Sequence, residues 1–150
     1  EQRRSEGRTE QPPAVVVSRS PDFSSAWRFF NQPLQRWLLA PEPEDQGFDR
    51  WFPLAPTWPE RLQALGAAGI QRLVLLGGAQ LSADLLQADC VDALQLTLVP
   101  QLLGGRFSWL PCTDVPLPAA LAQPGAWQSD GAEDLGDGEW LVRYRRIRSG

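Results

Sequence analysis

The sequence has no histidine, no lysine and no methionine, so all 14 of its basic residues are arginine. Without histidine, a Ser-His-Asp or Cys-His nucleophile pair cannot be built, and an ordinary zinc site is not expected. Without lysine, Schiff-base chemistry is excluded. What remains is chemistry that a bound cofactor carries while the protein positions and shields it, and hydride transfer is one example. A binding domain without catalytic activity passes the same filter.

Long apolar runs, thiols and excess positive charge are also scarce. No apolar run reaches the length of a membrane span, no signal peptide is visible, and the net charge is −4, so neither a membrane nor a nucleic acid is expected as a partner. Cys90 and Cys112 lack metal or redox spacing, which favours free thiols in the cytoplasm and no metal site. The length suits a single domain, residues 1–150, with 1–12 expected to be disordered or a linker.

The most informative stretch runs from Leu73 to Leu86. Leu73–Leu76 is continuously apolar, which predicts a buried strand of a parallel sheet. Gly77 and Gly78 then predict a sharp turn into a helix. A helix that begins directly after two glycines offers free N–H groups and its positive dipole end to an anion such as a pyrophosphate. The spacing is neither G-x-G-x-x-G nor a P-loop, so a plain strand-to-helix turn remains the alternative.

Strands and helices alternate along the rest of the chain, which predicts an α/β fold with a mainly parallel sheet. Thr57 and Glu60 have the spacing of a capping box, and the helix they open is expected to end at Gly69. The predicted strands are Ala14–Val17, Arg36–Ala40, Ile70–Leu76 and Ala93–Val99.

Three further segments carry hypotheses. Ser18-Arg19-Ser20 follows the first strand and has the groups to bind a phosphate, although a plain polar loop is the alternative. Pro41–Pro56 is predicted to be a long loop, an insertion or a lid, whose tryptophan covers a ligand or packs on the sheet edge.

At the end of the chain, Ala126–Gln128 is expected to pair with Glu139–Ile147 across a long loop. The arginines of that last strand are interpreted as a solvated edge: Arg143, Arg145, Arg146 and Arg148.

The segment from Leu73 to Gly105 resembles the C-terminal reductase domain of the bacterial RibD protein. The resemblance depends on its two diglycines, on Val91-Asp92 and on Leu96–Pro100. That family reduces a ribosylaminopyrimidine phosphate in riboflavin biosynthesis and shares the dihydrofolate reductase fold. The resemblance covers roughly Pro13 to Arg146. It implies a dihydrofolate reductase-like α/β domain, with a mainly parallel central sheet flanked by helices and an antiparallel C-terminal strand.

The resemblance also implies a cofactor and a substrate class. NADPH would pass a hydride to an imine or carbonyl carbon of a small, sugar-derived molecule. The cofactor-binding residues would be Ser18, Arg19 and Ser20 near the adenosine 2′-phosphate, and Gly77, Gly78, Ala79, Gln80, Leu81 and Ser82, with the turn extending to Asp84, around the pyrophosphate. A homodimer is expected on the same basis.

Two departures from the family pattern stand out. The family carries a substrate-contacting Glu at the position of Leu76, and a Leu side chain cannot accept a hydrogen bond. The substrate of this chain can therefore differ from the usual substrate of the family. The family's opening strand, turn and helix are not found, so we expect this chain to be the C-terminal two-thirds of a longer domain. No catalytic acid is identified among the residues present.

Three functional hypotheses follow. The first is an NADPH-dependent reductase resembling 5-amino-6-(5-phosphoribosylamino)uracil reductase. The second is a non-catalytic nucleotide-binding or assembly module of the same fold. The third is a dihydrofolate reductase-like enzyme that acts on another small carbonyl or imine.

Overall fold

The computed structural model describes residues 11–20, 22–44, 47–76, 78–102, 110 and 116–148. They fall into two compact units, one extending to Gln71 and the other beginning at Arg72. The prediction of a single domain over residues 1–150 stays a prediction, and the expectation of disorder over 1–12 falls almost wholly outside the described residues. In the described part of the chain, no helix has both the length and the apolar character needed to cross a bilayer.

The first unit contains a parallel three-stranded sheet in the order β1-β2-β3. Its strands are β1 (Ala14–Val17), β2 (Arg36–Ala40) and β3 (Arg50–Pro53). A single 3-10 turn, Arg28–Asn31, lies between β1 and β2. Four residues of β2, from Trp37 to Ala40, are buried, because the central strand of a parallel sheet is flanked on both sides and packed on both faces. The predicted bounds of β1 and β2 are confirmed.

Strand β3 corrects the prediction that Pro41–Pro56 is one long loop. Trp51 and Phe52 favour a strand because aromatic side chains suit a pleated surface. The indole N–H of Trp51 donates to the carbonyl of Ala40 at 3.0 Å, and the rings of Trp37 and Phe52 lie 5.5 Å apart. The surrounding prolines and acidic residues concealed this strand in the sequence.

Helix α1 (Trp58–Ala67) begins as the sequence predicts. The hydroxyl of Thr57 accepts a hydrogen bond from the backbone N–H of Glu60, and the carboxylate of Glu60 accepts one from the backbone N–H of Thr57 at 3.1 Å. Leu65 is the buried residue of the helix. Gly69 ends it with a φ of +106°, a conformation that glycine adopts without strain.

The strand predicted over Ile70–Leu76 is wrong for this structure. Residues 70–76 belong to no strand, and the side chains of Val74 and Leu76 are 76% and 92% exposed. A continuous apolar run indicates that a segment suits burial, but a strand also needs a hydrogen-bonded neighbour. No described strand pairs with this segment, so within the described residues the apolar run has no β-partner.

The second unit contains an antiparallel sheet in the order β4-β6-β5. Its elements are α2 (Ala79–Gln87), β4 (Ala93–Leu98), a single helical turn α3 (Ala119–Ala122), β5 (Trp127–Gly136) and β6 (Glu139–Arg146). The α/β class, with a parallel sheet and antiparallel C-terminal strands, is confirmed. The strands form two separate three-stranded sheets in the described residues.

The long loop predicted inside the C-terminal hairpin is wrong, because β5 continues to Gly136. Asp137 and Gly138 form a two-residue turn with φ values of +52° and +80°, as in the type I′ turns that Asp-Gly pairs favour. The polar composition of β5 hid the strand, and its register shifts between Ser129 and Ala132 blurred the alternation on which a strand prediction depends.

Candidate functional site

The start of α2 lies where the diglycine turn predicted it. Gly78 has a φ of +92° and a ψ of +93°, a conformation that side-chain-bearing residues rarely adopt. The first helical hydrogen bond runs from the N–H of Ser82 to the carbonyl of Gly78 at 2.9 Å. The amides of Ala79, Gln80 and Leu81 therefore precede the intrahelical ladder, and Gly78 has no side chain with which to cap them.

Space and charge at this helix start suit an anion. Gly78 is exposed and Ala79 is half-buried. A Cβ added at Gly78 would lie 3.8 Å from the Cβ of Leu81, an ordinary contact, so packing does not close the turn. The first turn has no acidic residue, and the side chain of Gln80 donates to Asp84 at 3.0 Å, one turn further along. Gly77, also predicted for this site, lies outside the described residues.

Ser18, Arg19 and Ser20 follow the carboxyl end of β1 as predicted. The N–H of Ser18 donates to the carbonyl of Leu39 at 3.1 Å and extends the ladder by one residue. The hydroxyl of Ser18 accepts from the N–H of Ser20 at 3.2 Å and donates to the carbonyl of Ser20. This hydroxyl therefore closes a local turn, while Arg19 and Ser20 are exposed.

The predicted cofactor-binding residues form two groups, one in each unit. Each group is continuous in the chain and is brought together by its own turn. That both groups contact one NADPH molecule stays a prediction. Leu76, predicted at the substrate position, is a fully solvated apolar side chain in the segment that precedes α2.

A charged cluster at the far end of α2 escaped the sequence analysis. Arg146 was interpreted as part of a solvated edge, but it is buried, and its guanidinium Nε and Nη2 donate to the two carboxylate oxygens of Asp89 at 3.0 and 3.1 Å. The interpretation holds for Arg145, which is exposed. Trp140 and Tyr144, which share the face of Arg146 by alternation, are 46% and 37% exposed, so the alternation of β6 did not indicate that Arg146 is buried.

This cluster perturbs its titratable groups. The hydrogen bond from Arg146 is the main cause that lowers the pKa of the Asp89 carboxyl; burial opposes it, and the charges of Arg146 and then Arg148 add to the lowering. Burial raises the pKa of the neighbouring Cys90 thiol, which disfavours the nucleophilic thiolate. Cys112 lies outside the described residues. Among the residues that the structure describes, no group of three His, Cys, Asp or Glu side chains is arranged to hold a metal ion.

The sequence was compared with known proteins. The family model of the RibD C-terminal domain matches residues 1–138. The riboflavin biosynthesis protein RibD of Haemophilus influenzae is 30% identical over 133 residues, which is 85% of this chain and 35% of that protein. The chain therefore spans about a third of the length of this curated relative.

Solved structures show the same fold at lower identity. A diaminohydroxyphosphoribosylaminopyrimidine deaminase/5-amino-6-(5-phosphoribosylamino)uracil reductase from Thermotoga maritima matches with a TM-score of 0.69 and 18% identity, over 91% of this chain and 38% of that one. A pyrimidine reductase-like protein from Corynebacterium diphtheriae matches with a TM-score of 0.68 and 19% identity, over 99% of this chain and 66% of that one.

Proposed function

The chain belongs to the RibD C-terminal domain family, and from this premise we propose that it is an NADPH-dependent reductase. The substrate would be a ribosylaminopyrimidine phosphate or a related small imine or carbonyl compound. The observation that carries the proposal is the exposed, uncapped start of α2 at Gly78, in a family of reductases.

Two groups of residues would hold the cofactor. The amides of Ala79, Gln80 and Leu81 would donate to the pyrophosphate, favoured by the positive end of the helix dipole. The guanidinium of Arg19 would bind the adenosine 2′-phosphate, since its planar fork of donors matches phosphate oxygens. NADPH would supply the hydride, and the protein's part is to bind and orient it.

The test is a calorimetric titration of the 150-residue chain with NADPH and with NADH. We expect NADPH to bind at least tenfold more tightly, because only NADPH carries the 2′-phosphate that Arg19 would pair with. Arg19→Ala should reduce this preference while leaving the affinity for NADH unchanged. Arg28→Ala, at another exposed arginine of the same unit, is the matched control and should change neither affinity. Absence of NADPH binding, or equal affinity for both nucleotides, would remove the proposal.

Leu76 favours a second candidate, a nucleotide-binding module without reductase activity. The family resemblance places a substrate-contacting Glu at this position, and here the side chain is apolar and 92% exposed. Turnover of NADPH in the presence of the ribosylaminopyrimidine substrate would exclude this candidate.

Leu76→Glu separates the remaining alternatives. The exposed site tolerates the substitution, so stability should change by less than about 0.5 kcal/mol. A gain of NADPH oxidation in Leu76→Glu, with none in the parent chain, would support the module. Oxidation of NADPH by the parent chain with a different carbonyl substrate would indicate a reductase of altered specificity. Leu73→Glu, in the same exposed segment, is the control for added charge.

A further inference from the structure

Asp89 follows Ala88, the C-cap residue of α2, in the turn that ends the helix. It adopts the left-handed conformation with a φ of +47°, and its N–H donates to the carbonyl of Leu86 at 2.9 Å. Its carboxylate accepts both arms of the Arg146 fork. A bidentate pair of this kind fixes the direction of both side chains as well as their distance.

The side chain of Arg146 is buried and contacts two backbone carbonyls and an aromatic ring in addition to Asp89. Its side chain is 5% exposed, and the remaining Nη1 group donates to the carbonyl of Ala126 at 3.0 Å and to that of Ile147 at 2.6 Å. The Trp127 ring centroid lies 5.8 Å from the guanidinium carbon. A buried cation is unfavourable without its counter-charge, so Arg146 remains paired with Asp89. Its contacts to the two carbonyls and to the Trp127 ring hold the guanidinium in one geometry.

Arg148 adds a second connection to the same turn. Its Nη2 donates to the backbone carbonyl of Asp89 at 2.7 Å, and its Nη1 donates to the carboxylate of Asp92 at 2.6 Å. This side chain is 43% exposed, so it contributes less than Arg146 does. We call Asp89, Arg146 and Arg148 the Asp89 latch.

We propose that Asp89 and Arg146 are positioning residues for the dinucleotide: the latch at the end of α2 sets the direction in which the amides at its start point. This inference rests on the proposed function. The nine-residue helix is about 14 Å long, so a tilt of about 5° at the latched end displaces the start by about 1 Å. A misplacement of about 1 Å can lower a reaction rate by about 100-fold, and we expect the hydrogen bonds that hold a dinucleotide to depend on the same alignment.

The latch stabilises α2 at its end, whereas the start has no side-chain cap. Both arginines contact the turn that follows the helix, Arg146 through the carboxylate of Asp89 and Arg148 through the backbone carbonyl of Asp89, and cations near a helix C-terminus are favoured by the dipole. Because the start of α2 has no side-chain cap, its first backbone amides remain available to a ligand.

The experiment compares Asp89→Asn with Glu133→Gln. Both variants remove one carboxylate charge that pairs with an arginine of β6, but the Glu133–Arg143 pair is solvent-exposed. Asp89→Asn should weaken NADPH binding about tenfold, whereas Glu133→Gln should change it less than twofold. Asp89→Glu, which keeps the charge, should recover part of the affinity.

A double variant separates positioning from stability. Asp89→Asn with Arg146→Met removes the buried charge together with its partner, so the unfolding midpoint should recover relative to Asp89→Asn alone. The affinity for NADPH should not recover, because the latch is still absent. Recovery of both quantities together would overturn the inference and leave the pair with a structural role alone.

Hydrogen exchange without cofactor keeps this inference distinct from the proposed function. The amides from Ser82 to Ala88 should exchange at least fivefold faster in Asp89→Asn than in Glu133→Gln. If the parent chain binds no NADPH, the proposed function fails, but the exchange rates still show whether Asp89 stabilises the end of α2. Equal exchange rates in the two variants would overturn the latch itself.

Discussion

The two longest helices among the described residues are stabilised at opposite ends. Helix α1 has a reciprocal capping box between Thr57 and Glu60 at its start, and it ends simply at Gly69. Helix α2 starts at Gly78 with no side chain to cap it, and its end is held by the ion pair between the half-buried Asp89 and the buried Arg146. A helix whose start is capped has little to offer an anion, whereas one secured at its end keeps its first amides available.

This contrast indicates different tasks for the two helices. The box at α1 satisfies its first amides from within the chain, which is what a helix with a purely structural role requires. The first amides of α2 have no side-chain cap, and a bound phosphate group would provide acceptors for them. The following predictions test that difference.

The largest effect is expected from giving α2 the acidic start that it lacks. In Gly78→Asp, a carboxylate would lie among the amides that a pyrophosphate needs, and we expect NADPH binding to weaken about 100-fold from charge repulsion and competition. Titration calorimetry measures the affinity. Gly78→Asn, which caps the helix without a charge, should weaken binding much less, and equal losses in both variants would contradict the electrostatic explanation.

A second pair compares two glycines with positive φ. Gly78→Ala and Gly69→Ala should each lower the free energy of unfolding by about 1–2 kcal/mol, since alanine is strained in these conformations. Urea denaturation measures both losses. We expect weaker NADPH binding only for Gly78→Ala. A similar loss of binding in Gly69→Ala would mean that stability, and not the local turn, controls affinity.

A smaller effect is expected at the capping box. Thr57→Ala removes the acceptor for the N–H of Glu60 and should cost about 1 kcal/mol of stability, with no change in NADPH affinity. Ser82→Ala, near the start of α2, is the matched variant, since Ser82 is not the cap residue there. Unfolding curves that give Ser82→Ala the larger loss would reverse the comparison.

The smallest effect is a pH dependence from the end of α2. Asp89 faces Arg146 and Arg148, with Cys90 beside it, and its lowered pKa means that the folded state binds the proton less readily than the unfolded state does. The stability it contributes is therefore complete above its unfolded value of about 4 and is lost as the pH falls through the lower folded pKa. Denaturation midpoints of the parent chain and of Asp89→Asn should converge as the pH is lowered below about 4. A constant difference would contradict this sign.

Features determined by neighbouring residues were predictable from the sequence. The capping box needs only Thr57 and Glu60, and the start of α2 needs only the glycines before it. Strand β2 was predicted with its bounds because its four consecutive apolar residues, Trp37 to Ala40, in the centre of a sheet need little context.

Features determined by distant residues were not predictable. Leu73–Leu76 was predicted to be a buried strand, because an apolar pattern records hydrophobicity but not whether a partner strand is present. The Asp89–Arg146 pair joins residues 57 positions apart, and no local spacing indicates it. The beginning of β5 was predicted at Trp127 and Gln128, but its continuation to Gly136 was missed because the polar residues and the irregular register gave it no alternation.

The account is tested most directly by the backbone amides at the start of α2. In a nuclear magnetic resonance titration of the isotope-labelled chain with NADPH, we expect the amide signals of Ala79, Gln80 and Leu81 to shift most. The amide signals at the start of α1, those of Trp58, Glu60 and Arg61, should stay in place. Binding of NADPH with unmoved α2 amides, or equal shifts at both helix starts, would contradict the central claim.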